Sequence, residues 1–228
     1  MLDALLHWLG FGLCHQLPER SFLGGGHQLP VCARDTGIYL GFVIGLLVLA
    51  ALDRGRRRTE VPAPWVLALG AVLVAVMGWD GVTSYAGLRP TTNLIRLATG
   101  LGTGFALTLV IVPLLNAQLW RRRSPERVLG ETWEVAVWAA AIPVAFVAVW
   151  WGGPALGTAY AVLTAIAIVV TLTAVNLVLF LLAPSFEQRA ERLRDAWLPI
   201  LLALALAAVE IAAADWLRYA LQSFVAGR

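Results

Sequence analysis

Six long apolar stretches dominate this sequence, and each approaches the roughly 20 residues that an α-helix needs to cross a bilayer. Hydrophobic residues make up 60% of the 228-residue chain and charged residues only 14%, a balance that a soluble fold of this size could not bury. The stretches predict membrane spans at residues 36–52, 62–79, 94–119, 133–151, 155–182 and 197–219. We therefore expect an all-α integral membrane protein, a polytopic bundle of about six transmembrane helices.

Arginine positions predict how these spans are oriented in the membrane. Loops after the first, third and fifth spans hold 11 of the 17 arginines, namely Arg54, Arg56, Arg57, Arg58, Arg121, Arg122, Arg123, Arg127, Arg189, Arg192 and Arg194. Because cytoplasmic loops are rich in arginine, both termini are expected on the outer side of a prokaryotic cytoplasmic (plasma) membrane. The pI near 9.3 is then a topology signal, and no nucleic acid is expected as a partner. The first 13 residues predict an interfacial helix instead of a cleavable signal peptide.

Chemically active side chains are concentrated before the first span. They are Cys14, His15, Glu19, Arg20, His27, Cys32, Arg34 and Asp35. The glycine triplet at 24–26 predicts a folded turn that brings the two halves of this segment together. We expect residues 1–35 to form an extracytoplasmic cap on a six-helix transmembrane domain at residues 36–228. A second outward stretch, residues 80–93, would bring further polar side chains to the same face.

Specific motifs in this region resemble a prokaryotic family of predicted membrane proteins, the domain of unknown function 2085. The first set is Cys-His-Gln at 14–16, Arg-Ser-Phe at 20–22, Pro-Val-Cys-Ala-Arg at 30–34 and Gly-Ile-Tyr-Leu-Gly at 37–41. The second set is Asp80-Gly81, Gly87-Leu88-Arg89, Asn93, Arg96, Thr99-Gly100 and Gly104. The resemblance covers residues 14–104 and implies a site in that stretch, but the family name implies no activity.

One interpretation of the cysteine-rich segment is a metal site. The candidate ligands are Cys14, His15, His27, Cys32 and Asp35. Zinc binds thiolate, imidazole and carboxylate groups in tetrahedral sites, and iron or copper also accepts thiolate and imidazole. A carboxylate among the ligands favours a labile centre with a bound water, as in catalytic sites.

A disulfide between Cys14 and Cys32 is the alternative interpretation, and it excludes the metal. Cysteines outside the cytoplasm commonly pair, and this bond would stabilise the fold by about 3 kcal/mol. A redox-active pair serving a membrane quinone is a further alternative. The chain has no Cys-x-x-Cys motif, which argues against a standard oxidoreductase.

Four arginines are candidate anion-binding residues at the same face: Arg20, Arg34, Arg89 and Arg96. Guanidinium groups bind phosphate or carboxylate through paired hydrogen bonds, so an anionic lipid headgroup or an isoprenoid phosphate is the expected ligand. The alternative is that these arginines form structural ion pairs with Asp80, Asp35 or Glu19.

Charged residues near the spans add catalytic candidates. Glu210 lies inside the sixth predicted span, where a charge is costly, so a proton relay is one hypothesis and a hydrogen bond to a neighbouring helix is the other. Asp80 is the second catalytic candidate. Asp215 and Arg218 are expected to pair with each other, because they are three residues apart on a helix.

Small residues predict where helices touch. Gly37, Gly41 and Gly45 share one face of the first span, and Gly100 and Gly104 share a face of the third.

The preferred functional hypothesis is a membrane enzyme with an extracytoplasmic metal centre, acting on a lipid-borne or small anionic substrate. One alternative is a non-catalytic accessory subunit of a larger membrane complex, with a structural Cys14–Cys32 disulfide, that docks through the glycine-rich faces and the outer cap. The other is a transporter or a membrane thiol-redox protein.

Overall fold

The computed structural model describes residues 1–226 and shows a mostly helical chain. Its helices are α1 (Leu2–Phe11), α2 (Ala33–Asp53), α3 (Pro64–Tyr85), α4 (Asn93–Leu119), α5 (Thr132–Val147), α6 (Gly153–Ala155), α7 (Thr158–Leu181) and α8 (Trp197–Ala226). Six segments of the described chain are long and apolar enough to cross a membrane; α5 and α6 form one of them through a π-helical turn at Ala148–Gly152. The predicted all-α fold and the number of spans are confirmed.

Helix α3 runs past the predicted end of its span. The sequence prediction ended this span at residue 79 and placed residues 80–93 in a loop, whereas the helix continues to Tyr85. Asp80 interrupts the apolar stretch in the sequence, but it is buried and paired with Arg34 and Arg89. Because its charge is neutralised inside the bundle, Asp80 does not end the helix.

The segment before α2 folds as a short helix and a β-hairpin. Strands β1 (Ser21–Gly24) and β2 (His27–Cys32) pair antiparallel. Gly25 and Gly26 form the turn with φ of +60° and +84°, the left-handed values that a two-residue hairpin turn favours. The predicted turn at the glycine triplet and the helix near the N-terminus are confirmed. The boundary at residue 35 and the extracytoplasmic side of this segment stay predictions.

Helices α2 and α4 approach each other closely. A Cβ atom added at Gly41 would lie 2.8 Å from the carbonyl oxygen of Leu101, and one added at Gly37 would lie 2.8 Å from the backbone nitrogen of Leu101. Close approach of backbones is what small residues permit in membranes, where lipid gives no hydrophobic drive to helix association. This contact corrects the hypothesis that the glycine-rich faces bind a partner, because the two faces pack against each other.

The arginine-rich loops meet at the C-terminal end of α2. Strand β3 (Arg58–Glu60) pairs in parallel with β4 (Ser124–Arg127), so the loop after α2 joins the loop after α4. Buried Arg58 donates two hydrogen bonds to the carboxylate of Glu134 on α5, at 2.7 and 2.8 Å. The candidate site lies at the other end of α2.

Candidate metal and anion site

Three potential metal ligands come together where β2 passes into α2. Cys32 ends β2 and is the residue before α2, and Asp35 lies in the first turn of that helix. Cys14 lies in the loop after α1, and the side-chain amide of neighbouring Gln16 donates to the carbonyl of Pro30 at 2.8 Å, which holds this loop against β2. The ligand atoms of Cys14, Cys32 and Asp35 lie within 4.8 Å of one another.

Hydrogen bonds connect these three residues directly. The backbone N–H of Cys32 donates to the sulfur of Cys14 at 3.2 Å, and the thiol of Cys32 donates to Oδ2 of Asp35 at 3.3 Å. A hydrogen bond from Cys32 lowers the pKa of Cys14, whereas that same pairing and burial raise the pKa of Cys32 far above its usual range. Cys14 is therefore the more acidic of the two thiols. Both cysteines are free thiols in the structure.

The structure does not bring the two candidate histidines to this group. His27 pairs with Gly24 beside the hairpin turn, whereas Cys32 pairs with Ser21 at the open end, five strand residues or roughly 16 Å away. The ring of His27 contacts Asp3 at 2.6 Å, and this hydrogen bond lowers the pKa of Asp3. His15 is exposed, and its ring centroid lies 6.4 Å from that of Tyr85.

Asp80 forms the centre of a buried ion-pair network beside this group. Asp80 is 1% exposed, and Arg34 on α2 donates to its Oδ2. Arg89 and Thr91, from the loop before α4, donate to Oδ1 at 2.6 and 2.9 Å. Both carboxylate oxygens thus accept hydrogen bonds. Asp80, Arg34 and Arg89 therefore form structural ion pairs, which was the alternative to a catalytic role for Asp80 and to anion binding by the two arginines.

Arg20 and Arg96 have a different environment. Arg96 is 9% exposed, and its Nη1 donates to Oδ1 of Asn93 at 3.0 Å. Arg20 contacts Glu19 at 3.9 Å, and its guanidinium lies 5.5 Å from the centroid of the Tyr85 ring. These two arginines have no strong carboxylate partner among the described residues.

Glu210 lies in the middle of α8, and its side chain contacts the neighbouring helix α7. Its Oε2 accepts a hydrogen bond from Asn176 on α7 at 2.7 Å, while the residue itself is exposed on the surface of the bundle. This contact matches the alternative to a proton relay.

Sequence reasoning missed the way in which α8 holds the N-terminal segment. Asp215 accepts a hydrogen bond from the backbone N–H of Gly12 at 2.6 Å. Arg218 donates to the carbonyl oxygens of Phe11 and Cys14. The predicted pairing of Asp215 with Arg218 is therefore wrong, because each binds the backbone around Cys14 instead. No local sequence pattern signals a contact across 203 residues.

A cavity of about 600 Å³ is lined both by this part of α8 and by the loop that carries Cys14. Cys14, His15 and Arg218 line its polar side, and Leu217 and Leu221 belong to its apolar side. The lining of this cavity is therefore partly polar and partly apolar.

Comparisons with known proteins match the half of the chain that carries the candidate site. A family model described as predicted membrane protein (DUF2085) matches residues 14–110, which include Cys14, Cys32, Asp35, Asp80 and Arg96. An uncharacterized protein of Methanocaldococcus jannaschii is 34% identical over 110 residues, covering 48% of this chain and 68% of that protein.

An uncharacterized protein of Methanothermobacter thermautotrophicus is 38% identical over 98 residues, covering 43% of this chain and 83% of that protein. No solved structure matches the chain.

Proposed function

This chain belongs to the DUF2085 family of predicted membrane proteins, and from that premise we propose that it is a membrane metalloprotein whose ion is held by Cys14, Cys32 and Asp35. The observation that carries the proposal is the convergence of two thiols and one carboxylate within 4.8 Å. Thiolate and carboxylate ligands suit zinc best, with iron or copper as the other candidates.

An ion with three protein ligands keeps a coordination position for water or a substrate atom, which is the arrangement of catalytic zinc sites. Arg20 and Arg96 lie at the same end of the bundle and favour an anionic substrate, either lipid-borne or small. The finer proposal is therefore a metal-dependent membrane enzyme. The positive-inside rule supports an extracytoplasmic location for this centre, because the arginine-rich loops lie at the opposite end.

Metal analysis of the detergent-purified protein tests this proposal. We expect about one zinc ion per chain in the wild type and a loss of most of it in Cys32→Ser and Asp35→Asn, since each change removes a ligand. Glu126→Gln is the matched control, because it neutralises an exposed carboxylate at the other end of the bundle. A wild type without bound metal, or equal metal in all four proteins, would contradict the proposal.

The two sulfurs lie within 4.8 Å of each other, which supports a second candidate, a Cys14–Cys32 disulfide. Counting free thiols after denaturation without reductant separates the two candidates. Two thiols per chain in a metal-containing protein support the metal centre. No thiols in a metal-free protein would replace it with the disulfide.

A further inference from the structure

Arg96 is a buried guanidinium without a carboxylate partner in the described part of the chain. The residue is 9% exposed, and the one side chain to which it donates is the neutral amide of Asn93. Among the described residues, Asp80 pairs with Arg34 and Arg89 and not with Arg96. Buried charges in proteins are almost always paired, so Arg96 calls for a counterion from outside the chain.

Two further guanidiniums lie close to Arg96. Arg20 and Arg34 lie 5.5 and 6.0 Å from the centroid of the same Tyr85 ring. The positive charge of each repels that of Arg96. Nε of Arg34 is buried without a hydrogen-bond acceptor. The three guanidiniums repel one another, whereas a bound anion would be attracted to all of them.

Asn93 explains why Arg20 and Arg96 are neighbours. Its side-chain nitrogen donates to the carbonyl of Glu19 at 3.1 Å, and its side-chain oxygen accepts from Arg96 at 3.0 Å. The amide thus joins the turn that carries Arg20 to the first turn of α4. Arg20 is partly exposed, with 33% of its side chain accessible, so an anion can approach Arg96 from this side.

We infer that Arg20 and Arg96 bind a phosphate-type oxyanion, with Arg34 adding positive charge behind them. A phosphate monoester fits better than a carboxylate, because it carries up to two negative charges and three oxygens that accept from guanidinium forks. The oxyanion is either free phosphate or the headgroup of a phosphate-bearing lipid. This inference names the substrate class of the proposed enzyme and rests on the proposed function for the role of the adjacent metal.

Binding measurements on the full chain in detergent test the inference with two probes. Inorganic phosphate is titrated by calorimetry, and phosphatidic acid is compared with phosphatidylcholine by native mass spectrometry. We expect Arg96→Gln to weaken binding by about tenfold or more, because a charged hydrogen-bond donor is lost. Arg194→Gln is the matched control, since this arginine is exposed at the opposite end of the bundle and should leave binding unchanged.

The two probes identify the source of the phosphate. Binding of phosphatidic acid alone supports a lipid headgroup, and binding of both probes supports a site for the phosphate group itself. Equal binding by wild type and Arg96→Gln would overturn the inference. If Arg96→Gln does not fold, Arg20→Gln at the partly exposed position must weaken binding, and unchanged binding there would overturn the inference equally.

Metal content measured in the same samples separates this inference from the proposed function. Arg96→Gln is expected to keep the metal of the wild type, because it removes no ligand. A wild type that binds phosphate but no metal would contradict the metal centre and leave the oxyanion site standing. A wild type that binds metal but neither phosphate probe would contradict only the oxyanion site.

Discussion

Single residues decide which arginines are free to bind a ligand. Asp80 forms ion pairs with both Arg34 and Arg89, whereas Arg96 on the next helix donates, within the described part of the chain, to the amide of Asn93. The four candidate arginines of the sequence therefore divide into a structural pair, Arg34 and Arg89, and a pair that is proposed to bind a ligand, Arg20 and Arg96.

Asp80→Asn is expected to destabilise the protein strongly. The change leaves two guanidiniums near each other without their shared carboxylate, and breaking a buried ion pair costs about 3–5 kcal/mol. The measurement is the free energy of unfolding in detergent. Glu60→Gln is the control, because it removes an exposed pair with Arg127 at 3.5 Å and should cost less than about 1 kcal/mol. Similar losses in the two variants would contradict the structural role of Asp80.

The sequence was sufficient to predict that Cys14, Cys32 and Asp35 lie close together, because a glycine triplet between the cysteines signals a turn. It could not show that His27 lies at the far end of the same hairpin, since that depends on the register of the strands. The sequence also could not show that Arg34 pairs with a carboxylate whereas Arg96 donates to an amide. Arg34 is ion-paired because Asp80 lies inside helix α3. The sequence prediction ended that span before Asp80, because a charged residue usually marks the end of an apolar stretch.

At the scale of elements, the contact between α2 and α4 positions the candidate site. Gly100 faces the carbonyl of Arg34, and Gly104 faces the backbone of Phe42, so α4 lies directly against the first turns of α2. Because the first turns of the two helices meet, Arg96 near the start of α4 lies at the same end of the bundle as Cys32, the residue before α2. The glycine spacing in the sequence predicted that these faces make close contacts, but it did not identify them as each other's partner.

Gly104→Ala is expected to lower the free energy of unfolding by about 1–3 kcal/mol, the usual cost of overpacking. A Cβ atom at this position would lie 2.5 Å from the backbone nitrogen of Phe42, which cannot move without its helix. Gly78→Ala is the matched control, because its added Cβ would meet nothing within 4 Å. Thermal unfolding of both variants in one detergent is the measurement, and equal stability of both would contradict the close contact.

The whole molecule separates its basic loops from its candidate site. Parallel pairing of β3 with β4 and the bridge between Trp120 and Ala190 draw the three arginine-rich loops together at one end. The cysteines and Arg96 lie at the other end. Hydropathy and arginine counts predicted this separation from the sequence, because both are properties of single segments and need no tertiary contact.

Labelling from outside the cell tests the orientation. Leu88 is 76% exposed in the loop between α3 and α4, so a Leu88→Cys variant should react with a membrane-impermeant maleimide in intact cells. Arg122→Cys, in an arginine-rich loop, should react only after permeabilisation. The native cysteines are 8% and 7% exposed, and the unsubstituted chain gives the background. The reverse pattern would place the candidate site in the cytoplasm.

The hydrogen bonds from α8 to the loop around Cys14 have a consequence for biosynthesis. Gly12 and Asp215 are separated by 203 residues, which a ribosome adds in roughly 10–40 s at ordinary rates of translation. For most of that interval both cysteines have been synthesised, while the part of α8 that binds their loop has not. The two thiols are therefore present in the chain before the contacts that bury their loop against α8 can form.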